Sequence, residues 1–214
     1  TDTTAIVLKY KGQEEIVYVP NIVDGKPVTG IADGAFIKNL TVKEVHLPDS
    51  VTELGISVFE DCSSLERVTL PNGITKISEK TFFHCPSLKS LEIPDTVLTI
   101  DRVSFYGCSS LTHITIPYGV VEIGQDAFSY SGLVTVDLPE TVSKIEKYAF
   151  YTCTDLKELT IPEGVTVIGA KTFWHCESME YIHLPESLKT IEISAFVSCY
   201  SLKELHIPSN TTNI

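Results

Sequence analysis

The sequence predicts a β-rich solenoid of about eight stacked 23-residue coils with short parallel strands, closed at its N-terminal end by a β-hairpin cap. Three periodicities predict it. Prolines stand at 48, 71, 94, 117, 139, 162, 185 and 208, always 23 residues apart except for one step of 22 between Pro117 and Pro139. Phenylalanine recurs at 36, 59, 82, 105, 128, 150, 173 and 196, and cysteine at 62, 85, 108, 153, 176 and 199. A disulfide framework has no reason to keep such spacing, whereas a repeat does.

The elements follow in order. Residues 1–19 do not follow the repeat: TAIVLKYKGQEEIVYVP (4–20) reads as two strands about Lys11-Gly12, a hairpin able to cover the apolar end of the first coil. The solenoid occupies 20–214, with units starting at 20, 48, 71, 94, 117, 139, 162 and 185 and a partial one at 208. The unit from Pro20 carries a five-residue excess around DGKPV (24–28). The unit from Pro117 lacks one residue and the cysteine, with SYSGL (129–133) where others have forms such as YGCSSL (106–111). After Pro208, PSNTTNI opens a ninth unit and reads as a sequence that continues.

Within a unit, the residues after proline are turn formers such as PNG, PEG and PDT. Two apolar residues three apart, such as Val165 and Ile168, then point inward. The [AST]-F segment is too short for a stable helix and is expected to make one helical or 3₁₀ turn. The stretch L-x-x-[VIL]-x-[IL] alternates with period two, which makes it a half-buried strand, and the next proline stops it. Stacking at about 4.8 Å per coil gives a rod of roughly 40 Å, along which the phenylalanines form a spine. The cysteines form an inward ladder of free thiols. Their Cβ atoms are expected about one coil spacing apart, more than the roughly 3.8 Å a disulfide needs.

The unit L-x-x-[VIL]-x-[IL]-P-x-x-[VIL]-x-x-I-x-x-x-x-F-x-x-C resembles the BspA-like class of leucine-rich repeats. Seven consecutive units from Pro48 to Ile207 carry it, and the Pro20 unit resembles the irregular first repeat of that family. The resemblance implies a leucine-rich-repeat solenoid without catalytic function. It further implies a secreted or surface-exposed protein of the kind found in mucosal bacteria and some protists, associated with adhesion to host proteins or to neighbouring cells.

Composition narrows the function independently. With 43% hydrophobic and 21% charged residues the chain can bury a core. Its 28 acidic against 16 basic residues, net −12, oppose nucleic acid and anionic membranes as partners. No apolar run reaches 18 residues, so no membrane insertion is expected. No G-x-S-x-G, H-E-x-x-H, Walker or dinucleotide motif is present, and no catalytic, cofactor-binding or metal-binding residue is assigned. The acidic residues after proline (Asp49, Asp95, Glu140, Glu163, Glu186) read as solvated turn carboxylates. The pairs His84-Cys85 and His175-Cys176 sit at equivalent places in two coils. They read as a variable surface corner beside the inward thiol, and not as a dyad.

The candidate site is the outward face of the strands, two polar columns on either side of a buried one. The first column runs Glu44, Arg67, Ser90, His113, Thr135, Glu158, Tyr181, Glu204. The second runs His46, Thr69, Glu92, Thr115, Asp137, Thr160, His183, His206. The candidate protein-binding face comprises all of these from Arg67 onward except Ser90 and Thr135. A sheet of one strand per coil is broad and rigid, which suits a protein partner such as an extracellular-matrix or host surface protein. The expectation is a non-catalytic binding domain at the cell surface or outside the cell. A spacer presenting other domains and an accessory domain of a larger enzyme are the competing readings.

Overall fold

A computed structural model describes residues 3–214. Each unit makes one coil because its apolar positions can be buried only against the coils before and after it. The order within a coil is a turn at proline, a two-residue strand, an arc carrying phenylalanine and cysteine, and a three-residue strand leading to the next proline. The Phe spine is continuous: neighbouring ring centroids from Phe36 to Phe196 lie 5.1–5.7 Å apart. From Phe36 to Phe173 these rings are fully buried. Aliphatic columns flank the spine, for example Val97, Val120, Val142 and Val165.

Every strand pairing between coils is parallel and steps by one repeat, as in Glu44–Arg67 and Val167–Thr190. The three-residue strands form three groups: Ile16–Tyr18 with Glu44–His46 and Arg67–Thr69, His113–Thr115 with Thr135–Asp137, and Glu158–Thr160 with Tyr181–His183. The two-residue strands, with Ala5–Val7 and Lys26–Ile31 at the N-terminal end, form a second ladder: Ala5–Val7 with Lys26–Ile31 and Glu53–Leu54, then Lys76–Ile77 through Lys144–Ile145, then Val167–Ile168 with Thr190–Ile191.

The arc is not a helical turn as expected. Each coil places two residues there in the left-handed region, one two positions before the Phe and one two after it. In the third coil these are Lys80 (φ 58°) and His84 (φ 53°), and in the seventh Lys171 (φ 53°) and His175 (φ 57°). Alternation of left- and right-handed residues breaks any helix, and it turns every second N–H toward the next coil. At each of the seven steps between the eight coils three such bonds form, all donated forward; Ser57, Phe59 and Asp61, for instance, donate to Glu79, Thr81 and Phe83 carbonyls. The intervening N–H groups close i→i+3 turns, as Cys62 N–H does on Phe59 O.

Residues 1–19 are corrected in kind, residues 1 and 2 lying outside the described residues. Ala5–Val7 and Ile16–Tyr18 do not pair with each other as a hairpin. Each joins a different parallel ladder, and Tyr10 between them stacks on Phe36 (5.1 Å) and donates its N–H to Ala35 O. The segment is a shortened coil. Among the described residues the single antiparallel pairing is instead Ile22–Val23 with Lys26–Pro27, closed by Asp24 (φ 50°) and Gly25 (φ 73°). Both central residues are left-handed, the condition a two-residue Asp-Gly turn meets most readily. The five-residue excess around DGKPV is therefore this hairpin.

The short unit keeps its place by substitution. Ser131 takes the cysteine position, with its N–H on Phe128 O, and Gly132 passes close against the preceding coil. A Cβ on Gly132 would lie 2.0 Å from Ser109 O.

Candidate protein-binding surface

On the strand face, Arg67 and Thr69, His113 and Thr115, Asp137, Glu158 and Thr160, and Tyr181 and His183 stand on paired strands. Each is exposed, and the residue between each pair of flanks is buried. Glu92, Glu204 and His206 are exposed as expected but do not stand on paired strands. The reason is physical: alternation encodes which side of an extended segment is buried, not whether the neighbouring backbone comes within hydrogen-bonding reach. At the third coil pairing starts with Lys89 N–H on Glu66 O and stops there; at the eighth it starts with Lys203 N–H on Glu180 O and stops likewise.

Where the ladder is interrupted, the face opens. A cleft of about 230 Å³ is lined by Arg67–Leu70, Ser90 and Glu92. A larger one of about 440 Å³ lies between Thr135–Leu138 and Glu158–Thr160, with His183 at its edge. These clefts were invisible to a reading that treats coils as equivalent.

Polar side chains on this face are tied to one another across coils. His113 Nδ1 lies 2.8 Å from Thr135 Oγ1, and its Nε2 lies 3.2 Å from Thr115 Oγ1 and 3.5 Å from Asp137 Oδ2. Lys203 Nζ sits 4.7 Å over the Tyr181 ring and donates to its hydroxyl at 3.1 Å. Hydrogen bonds to Glu180 and then Tyr181 hold the Lys203 ammonium above its ordinary value. At the other end Tyr18 stacks on His46 with centroids 4.4 Å apart. Such cross-strand contacts limit rotamer freedom before any partner arrives, which lowers the entropy lost on binding. Among the described residues, no group of three or more His, Cys, Asp or Glu is placed to hold a metal ion.

Residues 29–145 and 121–214 match the family model of the BspA type leucine-rich repeat region, in six copies. The chain belongs to the BspA-type leucine-rich repeat family. Among solved structures it resembles a leucine-rich repeat protein of T. pallidum, at 28% identity over 93% of this chain and 83% of that one, with a TM-score of 0.67. A leucine-rich repeat protein of Bacteroides ovatus matches at 27% identity over 92% of this chain and 46% of that one, TM-score 0.68. The pneumococcal vaccine antigen PcpA matches at 25% identity over 89% and 51%, TM-score 0.53. No curated protein matches the chain by sequence.

In this BspA-type array the His-Cys pairs separate as expected: His84 is exposed and Cys85 buried. All six thiols are free, and each donates to the carbonyl of the spine Phe one coil earlier at 3.1–3.2 Å, as Cys62 does to Phe36 O. Burial raises the Cys62, Cys108 and Cys153 thiols to about 12 and the half-buried Cys199 to about 11. Held neutral in this way, they are poor nucleophiles and poor metal ligands. The position of His84 and His175 is more constrained than a variable corner, because every coil needs a left-handed residue there. Of the acidic turn residues, Glu163 is not merely solvated: its carboxylate accepts the N–H groups of Glu186 and Ser187 in the next coil.

Proposed function

We propose that this chain is a non-catalytic protein-binding module of a secreted or cell-surface protein, and that the strand face is its recognition surface. The observation that carries this reading is the coincidence of the two clefts with the outward polar columns: Arg67, Thr69 and Glu92 line one, and Asp137, Glu158, Thr160 and His183 line the other. Each cleft offers charged and hydrogen-bonding side chains beside strand segments that form no ladder across it, which together serve an extended segment of a partner. BspA-type membership and the likeness to a pneumococcal vaccine antigen support the placement outside the cell.

The test is binding of the intact chain to an array of purified extracellular-matrix proteins. The wild type is compared with two variants, Asp137→Asn/His183→Ala and Arg67→Ala/Glu92→Ala. Binding by the wild type, with a loss of about tenfold or more in one variant at unchanged thermal stability, is the expected result. Binding to none of the arrayed proteins would remove the adhesion reading and leave the spacer reading standing.

A further inference from the structure

The sequence repeats one hexapeptide frame, KTFFHC (80–85) and KTFWHC (171–176), four coils apart. In the structure the two copies bracket an uninterrupted row of exposed and half-buried rings on the arc edge. Phe83 stacks on Tyr106 (5.0 Å), Tyr106 meets Tyr130 (5.2 Å), Tyr130 meets Tyr151 (5.5 Å), and Tyr151 stacks on Trp174 (4.7 Å). There is one such ring per coil through five coils. At each end a lysine sits over the terminal ring, Lys80 over Phe83 and Lys171 over Trp174, both at 5.5 Å. A histidine packs against the same ring, His84 at 4.2 Å and His175 at 3.9 Å.

The fold does not require this row. The position that carries Phe83, Tyr106, Tyr151 and Trp174 carries Ile37, Glu60, Ser129 and Val197 in other coils, and those coils stack equally well. In the fifth coil, where Ser129 is buried, the neighbouring left-handed residue Tyr130 supplies the ring. The backbone below is pinned by three inter-coil bonds at every step, so the rings are presented on a fixed spacing.

That spacing selects an occupant. Spine rings of the same three coils, Phe105, Phe128 and Phe150, stand 5.2 and 5.5 Å apart, so two coil steps measure about 10.7 Å on this edge. That lies within about 1.4 Å of one turn of a polyproline II helix, three residues at about 3.1 Å each. A polyproline II segment lying along the solenoid axis therefore meets the Tyr106 column again at Tyr151, one turn later. Such a segment has no internal hydrogen bonds, so its carbonyls are free to accept. The Tyr106 hydroxyl and the Trp174 indole N–H have no hydrogen-bond partner among the described residues. From Phe83 to Trp174 the row spans four coil steps, enough for about six residues in this conformation.

Charge sets the ends. Asp61 is paired with His84 (3.3 Å), Glu177 with His175 (3.0 Å), and Asp126 accepts from Ser129 Oγ (2.9 Å). Lys80 and Lys171 have no carboxylate partner among the described residues. At physiological salt the screening length is about 8 Å, so a ligand's terminal groups meet these lysines more than the distant net charge.

We propose that this row is a docking site for an acidic, proline-rich segment of a partner protein, bound in the polyproline II conformation with carboxylates at Lys80 and Lys171. The site lies on the arc edge and is independent of the strand face.

The probe is a labelled hexaproline peptide flanked by glutamates, titrated against the intact chain by fluorescence anisotropy. Trp174 is the only tryptophan, so its emission reports occupancy of the row directly. Saturable binding that alters Trp174 emission is expected. Tyr106→Ser and Tyr151→Val, which copy residues other coils carry at this position, are expected to weaken it about tenfold or more without loss of thermal stability. Lys80→Gln and Lys171→Gln should weaken it severalfold, with reduced salt dependence, while Asp137→Asn/His183→Ala leaves it unchanged. Equal affinity for a glycine-substituted peptide overturns the proposal. So does binding that ignores the tyrosine variants, no saturation at millimolar peptide, or preference for an acidic oligosaccharide.

Discussion

At the scale of single residues, the cysteine column shows why a repeat keeps a residue type that forms no disulfide. The spine carbonyl one coil back already accepts one N–H, as Phe59 O accepts from Cys62, and has a second lone pair facing a space only a small side chain can enter. The thiol fills that space and donates, as Cys108 does to Phe82 O at 3.2 Å. Burial raises Cys108 from an ordinary value of 9.0 to about 12. A thiol whose folded value is raised contributes stability that is fully present below pH 9 and is lost as pH climbs toward 12, because the unfolded chain ionises first. The urea midpoint should accordingly fall between pH 9 and 11, and Cys108→Ser should remove about 1 kcal/mol of that decline per pH unit. An identical pH slope in the variant would show that the thiol does not titrate as described. Ser104 is the opposite case: its hydroxyl is buried without a partner, whereas Thr81 and Thr172 in the same column donate to Ser78 O and Gly169 O. Ala127 and Ala149 occupy that column without difficulty. Ser104→Ala should therefore stabilise by about 1 kcal/mol in a denaturant titration.

At the scale of the element, the coil was largely legible in the sequence. Period, spine, thiol column and the buried side of each strand all follow from residue types at fixed spacing, and Ser131 could be placed where the cysteine is missing. The arc was not legible, because its left-handed residues include Lys, His, Tyr, Asp, Ser and Val. Geometry there is imposed by stacking, not by side-chain preference. The N-terminal half-coil was misread as a hairpin, although IVYVP (16–20) ends in a proline-stopped strand like EVHLP (44–48), and DG (24–25) carried the real turn signal. The aromatic row escaped notice since its rings come from one position in four coils and from the next position in the fifth. Phe105→Ala tests the coil as an element. The ring is fully buried between Phe82 (5.3 Å) and Phe128 (5.2 Å), so its loss should cost about 3–5 kcal/mol. A loss below about 1 kcal/mol would mean that the neighbouring coils close over the gap and the spine is not the core.

At the scale of the whole molecule, the two long edges differ in kind. The strand edge is bonded in groups, opens into clefts between them and displays polar columns. The arc edge is bonded at every step from the first coil to the eighth and displays rings. The array and peptide experiments address one edge each, and each includes variants of its own edge, so either reading can fail alone. The arc bonds have one further consequence, since all of them are donated forward. In the strand ladders opposing peptide dipoles nearly cancel, but along the arc aligned N–H···O=C units of about 3.5 D each add from coil to coil. The solenoid is thus an electrically polar rod, with its carbonyl end at the first coil and its N–H end at Ser194, Phe196 and Ser198 of the eighth. Gain or loss of whole repeats would lengthen or shorten this axial dipole without reversing its sign.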